Sequence, residues 1–248
     1  MADFFDSGKM MTASKHENVW NPGPMPAIPV RNTSLLYPVA RIFCVGRNYR
    51  AHAVEMGMPV DKSTSEPFYF TKTPADLVLS GATVAYPAGT KNFQYEMELV
   101  VAIGAECFRA SESDAGRAIY GYACGLDMTR RDLQLVARDT GRPWDLSKDV
   151  EESAVVSELV PFAGVGLLKT GKISLSVNGQ VKQQSDIGQL IWSVPELIAH
   201  LSRFYRLRPG DLMYTGTPEG VGPVVPGDQI TGQIDAVGTI ELKIGSPN

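Results

Sequence analysis

The chain has 248 residues, 44% of them hydrophobic and 20% charged, with 27 acidic side chains against 23 basic ones. That is enough chain to bury a sizeable core, and the composition excludes a disordered polymer. A formal charge of −4 argues against a nucleic-acid partner, and no run approaches the roughly 18 unbroken apolar residues that a membrane span requires.

Residues 1–35 hold Pro22, Pro24, Pro26 and Pro29 without a periodic pattern and read as an extended N-terminal arm whose first dozen or so residues are expected to be mobile. Residues 36–248 read as a single domain. Arg41 to Val45 is a short apolar run closed by Gly46, as a strand would be. Phe93 to Ile103 alternates: Phe93, Tyr95, Met97 and Leu99 share one face, Gln94, Glu96 and Glu98 the other, which predicts one strand buried on one side. Ser111 to Ile119 and Thr129 to Asp139 have helical character, with Thr129 the expected N-cap of the second. Ile173 to Val177, Asn178-Gly179 and the residues from Gln180 form a hairpin signal, because Asn-Gly supplies the positive φ angles of a two-residue turn. Val194 to Phe204 reads as a helix, its Pro195 tolerated in the first turn. Asp211 to Tyr214, Gln229 to Ile234 and Thr239 to Ile244 complete a set of short strands. The expected fold class is mixed α+β and β-rich, with no βαβ rhythm to suggest parallel pairing.

Cys44, Cys107 and Cys124 each lie in apolar surroundings, which predicts buried free thiols in a reducing compartment. The N-terminus lacks a basic start followed by an apolar run, so a cytoplasmic protein is expected. There is no GxxxxGK[ST] or GxSxG motif and no CxxC pair near any of the three histidines, which removes phosphate-loop, serine-hydrolase and histidine-zinc readings. The glycine-rich stretch from Gly216 to Gly222 reads as a turn, functional only if its backbone amides face a substrate.

Carboxylates carry more information. Glu96 and Glu98, two apart on a strand, project from the same face, and Asp127 closes a second apolar stretch, Gly121 to Asp127. Together they would make an all-oxygen site for Mg²⁺ or Mn²⁺, with Ca²⁺ also compatible. The same spacing also describes a solvated sheet face with a capping aspartate. Arg131 and Gln134, one helical turn apart, and Lys148 could clamp a substrate carboxylate or stand as surface charges. His52 and Glu55 are also one turn apart, suiting either a carboxylate-oriented base or a surface ion pair.

In this order, these pieces resemble the fumarylacetoacetate hydrolase family from about Leu36 onward. The likeness rests on four stretches: Cys44-Val-Gly-Arg-Asn-Tyr-Arg-Ala-His52, Tyr95-Glu-Met-Glu-Leu99, Gly125-Leu-Asp-Met-Thr-Arg-Arg-Asp-Leu-Gln134 and Thr215-Gly-Thr-Pro-Glu-Gly-Val-Gly222. Residues 68–74 and 141–148 look most like the family's bacterial branch that cleaves fumarylpyruvate in gentisate-type aromatic catabolism. The resemblance implies a β-roll with a few short helices, a homodimer, and 36–248 as the catalytic domain. It implies Glu96, Glu98 and Asp127 as ligands of Mg²⁺ or Mn²⁺, and His52 with Glu55 as the water-activating pair. Lys148 would stabilise a developing enolate, and Arg131, Gln134, Thr217 and Lys72 would contact a small diketo acid. One departure stands out: Lys148-Asp-Val-Glu-Glu152 replaces the Lys-Phe-Asp order of many relatives. The implied activity is hydrolysis of the carbon–carbon bond of an acylpyruvate. Rivals are decarboxylation of a 2-oxo diacid such as oxaloacetate on the same scaffold, and a non-catalytic β module that binds a structural cation.

Overall fold

The computed structural model describes residues 19–21 and 23–247, so the mobility expected of the first dozen residues falls outside them. Short runs of β-branched and aromatic residues, punctuated by glycine and proline, build two main sheets. The larger has eight strands. Its path runs Phe68–Lys72, Arg41–Gly46, Asp211–Tyr214, Met97–Ile103, Ile119–Asp127, Ala154–Val156, Leu77–Leu79, with Val160–Pro161 also on Ile119–Asp127. The smaller has five, ordered Gln180–Asp186, Lys172–Val177, Gln229–Ile234, Gly238–Ile244, Ala82–Val84. Few helices interrupt them, and the fold is the mixed, β-rich class expected from the sequence.

The Asn178-Gly179 hairpin forms as its residues demand, with φ of 51° and 77°, and its partner strands pair across a bulge at Leu175/Ser176. Three pairings are parallel, contrary to the expectation from the missing βαβ rhythm: Asp211–Tyr214 on Arg41–Gly46, Ala154–Val156 on Leu77–Leu79, and Gly238–Ile244 on Ala82–Val84. Each joins segments far apart in sequence, so no local helical crossover exists to announce it.

The expected strand over 93–103 is broken at Glu96. Phe93–Tyr95 joins a small sheet with Thr129–Arg130 and Gly222–Pro223, whereas Met97–Ile103 enters the eight-stranded sheet. Both faces of Met97–Ile103 are buried, not one. Leu99 and Val101 pack with Ile173, Leu175 and Ile240 of the smaller sheet. Val100 and Ala102 pack on the opposite face with Ile28, Val30, Tyr37 and Ile42. The second layer comes from a hairpin, Ala27–Pro29 with Leu36–Pro38, lying against the large sheet. Thr129 is a strand residue rather than a helix cap, and the helix begins at Arg131. All three cysteines are buried and unbridged. No described helix is long and apolar enough to cross a membrane.

Tyr37 pins the hairpin to the sheet. Its hydroxyl donates toward the carbonyls of Ile103 (2.8 Å) and Asp211 (3.0 Å) and accepts from the Gly210 amide (2.8 Å) in a buried place. Tyr37→Phe strands those backbone groups without water and should cost about 1–3 kcal/mol in equilibrium denaturation, leaving the far-UV spectrum unchanged.

Candidate active site

The antiparallel register of Met97–Ile103 against Ile119–Asp127 sets the site. Glu98 stands opposite Gly125, and the Asp127 amide donates to the Glu96 carbonyl at 2.9 Å, so all three acidic side chains leave the same face. One carboxylate oxygen from each of Glu96, Glu98 and Asp127 lies within 4.8 Å of the others. This is the face that carries Val100 and Ala102 a few residues further on.

Three buried like charges this close cannot stand alone, and the surroundings compensate them unequally. Lys148 closes the short helix Asp145–Lys148, and its Nζ donates to Glu96 Oε2 (2.6 Å), Asp127 Oδ2 (2.7 Å) and Thr129 Oγ1 (2.8 Å). Arg131 Nη2 donates to Glu96 Oε1. Burial raises the Glu96 carboxyl, but Lys148 and Arg131 outweigh it and hold it far below the usual range. Burial lowers Lys148, yet Asp127 and Glu96 prevail and keep its ammonium charged. Among the described residues no basic side chain bonds Glu98. Burial, then Asp127 and Glu96, push it well above the ordinary carboxylate range, opposed by the nearby Lys148 charge and by the Gly216 amide at 2.7 Å.

These residues fit a divalent cation. The donor set is all oxygen, no basic side chain among the described residues bonds Glu98, and Asp127 Oδ1 is buried without a hydrogen bond. Lys72 Nζ does lie 3.0 Å from that oxygen, but it donates instead to the carbonyls of Met128 and Lys148 and to Ser153 Oγ. The contact is therefore charge pairing without a directed bond, which leaves an oxygen lone pair free to ligate.

His52, Glu96, Glu98, Arg131, Gln134, Lys148 and Thr217 line one cavity. Glu55 sits behind His52 on the helix Arg50–Glu55, with Oε2 3.0 Å from Nδ1. Burial raises Glu55, but the bond to His52 and the Gly220 amide (3.1 Å) keep its pKa low, so it remains a carboxylate. Gly216 and Gly220 therefore present their amides to two site carboxylates rather than to open cavity. Gly216 needs to be glycine: its φ is 99°, and a Cβ there would meet Asn48 Cβ at 2.8 Å. Arg131 donates to Gln94, Gln134 and Glu96, so its fork, part of the cavity wall, is committed to these neighbours. Lys72 is absent from that lining: it is buried behind Asp127, where it ties the carbonyl of Lys148 to that of Met128.

Sequence reasoning missed Gln183, whose Oε1 accepts from the Met97 amide (3.0 Å) while Nε2 donates to Thr217 Oγ1 (2.9 Å). Nothing in its exposed-looking hairpin strand signals that role. The unusual Asp149 turns away from the cavity. It accepts from the Thr73 amide (2.5 Å) and hydroxyl (2.9 Å), and Glu152 accepts from the Ala85 amide (3.1 Å). Asp76 lies against Asp149, and burial together with that neighbour raises its pKa to about 6. A raised carboxyl keeps its proton longer in the folded than in the unfolded chain, so stability falls as pH rises from about 4 to about 6. Asp76→Asn should therefore raise the melting temperature by a few degrees near pH 8 and leave it unchanged near pH 4, the size limited by solvent screening.

Comparison with known proteins agrees with this geometry. The sequence profile of the fumarylacetoacetate hydrolase C-terminal domain matches residues 41–245. The chain is 62% identical over 190 residues, 77% of its length, to a fumarylpyruvate hydrolase of a Ralstonia species, covering 98% of that protein. It is 38% identical over 206 residues, 83% of its length, to the mitochondrial oxaloacetate tautomerase of Bos taurus, covering 92% of it. It superposes with a TM-score of 0.89 on the crystal structure of fumarylpyruvate hydrolase from Pseudomonas aeruginosa in complex with Mn²⁺ and pyruvate, at 44% identity over 93% of this chain and 100% of that one. A match across most of the chain, together with the fold and the carboxylate cavity, places this protein in the fumarylacetoacetate hydrolase family.

Proposed function

We propose that this protein is a hydrolase that cleaves the carbon–carbon bond of an acylpyruvate, taking fumarylpyruvate to fumarate and pyruvate. The observation that carries this reading is one cavity lined by the Glu55-paired His52, Lys148 and the acidic trio's Glu96 and Glu98. The likeness to two fumarylpyruvate hydrolases, one holding Mn²⁺ and pyruvate, supports the substrate and the metal. The acting unit is the 36–248 domain with 1–35 as its arm, working in the cytoplasm as a homodimer on a small diketo acid.

Glu96, Glu98 and Asp127 would hold Mg²⁺ or Mn²⁺, which supplies a Lewis acid for the 2-oxo acid end and for enolate charge. His52, its Nδ1 fixed by Glu55, takes a proton from water through Nε2. The resulting hydroxide attacks the acyl carbonyl carbon. The bond from that carbon to the pyruvate methylene then breaks, and the electron pair leaves as the enolate of pyruvate, which protonation completes. Lys148 places a buried positive charge beside the developing enolate. The Gln134 amide and the Thr217 hydroxyl hold the substrate, while Arg131 and Lys72 keep Gln134, Glu96 and Lys148 in place.

A second reading, reaction at a 2-oxo diacid such as oxaloacetate, draws on the tautomerase relative. It needs no attacking water. Loss of the diketo-acid absorbance of fumarylpyruvate and of the enol absorbance of oxaloacetate should therefore be followed with Mn²⁺ present. His52→Ala should reduce fumarylpyruvate hydrolysis by about 10²–10⁴-fold. Turnover of oxaloacetate by wild type with none of fumarylpyruvate would sink the hydrolase reading.

Metal should stabilise the fold, because a ligand that binds only the native state contributes by mass action: roughly 2.7 kcal/mol at about 100 times its Kd, or about 5–10 °C for a domain of this size. Glu98→Gln should abolish that shift while leaving the metal-free protein at least as stable as wild type, since among the described residues no basic side chain bonds Glu98. Asp127→Ala should lose the shift and also cost about 3–5 kcal/mol, because it leaves Lys148 and Lys72 underpaired. Thermal melts with and without Mn²⁺ read both effects, and a full shift in Glu98→Gln would refute the three-carboxylate site.

A further inference from the structure

Arg47 follows the Arg41–Gly46 strand and lines the same cavity. Its backbone is left-handed, with φ at 57°, a conformation that non-glycine residues adopt at a cost and that the surroundings must hold in place. The next residue holds it: Asn48 Nδ2 donates to the carbonyls of Trp192 (3.0 Å) and Thr215 (2.8 Å), and Oδ1 accepts from the Trp192 amide (2.8 Å). Among the described residues the Arg47 guanidinium has no hydrogen bond and no ion pair, and its Nε is buried without a partner. A buried, unsatisfied donor on a fixed charge is costly unless something else completes it.

The surroundings form a platform for that guanidinium. Its Cζ lies 5.4 Å from the centre of the Phe68 ring, and Phe68 meets Trp144 edge-on at 4.9 Å. Phe68 pairs with Gly46 and folds its ring across it; a Cβ at residue 46 would fall 2.0 Å from Phe68 Cε1. Stacking holds an arginine by its face and leaves its donor edges free. The cavity's other arginines are committed, Arg131 to Gln94, Gln134 and Glu96, and Arg138 to Asp139 and the Met56 carbonyl.

We propose, resting on the hydrolase reading above, that Arg47 is a specificity-determining residue that takes the far carboxylate of a diacid substrate. The oxo-acid end of an acylpyruvate is accounted for by the carboxylate trio, Lys148 and Gln134. A fumaryl group brings a second negative charge into the same cavity, and Arg47 is the basic group there whose donors are uncommitted. Its planar fork matches a carboxylate bidentately. The enzyme therefore selects acyl groups that end in a carboxylate over those that end in a methyl group.

The test compares kcat/KM on fumarylpyruvate and acetylpyruvate for wild type, Arg47→Asn and Arg47→Lys, all loaded with Mn²⁺. Asparagine is chosen because it tolerates left-handed backbone. Arg47→Asn should lose about 10–100-fold on fumarylpyruvate, mostly through KM, with acetylpyruvate unchanged, and Arg47→Lys should recover part of the loss. An equal fall on both substrates, or no fall on fumarylpyruvate, overturns the assignment. Calorimetric binding of fumarate against crotonate gives a readout that needs no turnover: wild type should prefer fumarate and Arg47→Asn should not. If wild type cleaves neither diketo acid yet keeps an Arg47-dependent preference for fumarate, the hydrolase reading falls and the carboxylate site stands. If that preference is missing as well, both fall.

Discussion

Mutual repulsion among Glu96, Glu98 and Asp127 is the constraint on which the rest of this structure depends. The antiparallel register drives three acidic groups to within 4.8 Å of one another in a buried place, and each neighbouring element answers that charge. Lys148 bridges two of the three, Arg131 closes on Glu96, and Lys72 sits behind Asp127. The neutralisation is uneven: among the described residues Glu98 is bonded by the Gly216 amide and feels Lys148 only through space. A site fully compensated by its own lysines and arginines would have no affinity for a cation. Here the Glu98 carboxyl, bonded to no lysine or arginine among the described residues, leaves the trio fit for a divalent ion.

Lysine is suited to the central position because its three donors can serve two carboxylates and a hydroxyl at once. The cost of burying that ammonium is recovered only while both carboxylates stay ionised. The same residues thus set the charge state of the cavity and the stability of the sheet beneath it.

The loop 215–222 couples the acidic trio to the His52–Glu55 pair. Its Gly216 amide holds Glu98, its Gly220 amide holds Glu55, and Gln183 ties Thr217 to the backbone of Met97. A shift of this loop would therefore displace Glu55 and Glu98 together. Asn48, bonded to Trp192 and Thr215, fixes the entry to the His52 helix against the same loop. One support thus keeps His52 and the carboxylates in register.

Much of this was legible in the order of residues. Period-two alternation placed Glu96 and Glu98 on one face, the three-residue spacing paired His52 with Glu55, and Asn178-Gly179 marked its hairpin, because each depends on backbone geometry within a few residues. What lay beyond reach comes from contacts between distant segments. The parallel pairings, the break of the 93–103 strand at Glu96 and the burial of both faces of Met97–Ile103 arise where a second sheet and a hairpin from residues 27–38 close over the first. The same holds for Lys72, which pairs with a carboxylate 55 positions away, and for Gln183, which reaches back to Met97. Local spacing determined which chemical groups share a face. Only tertiary packing decided which of those groups are buried together, and burial is what turns an ordinary carboxylate pair into a charge that needs a metal.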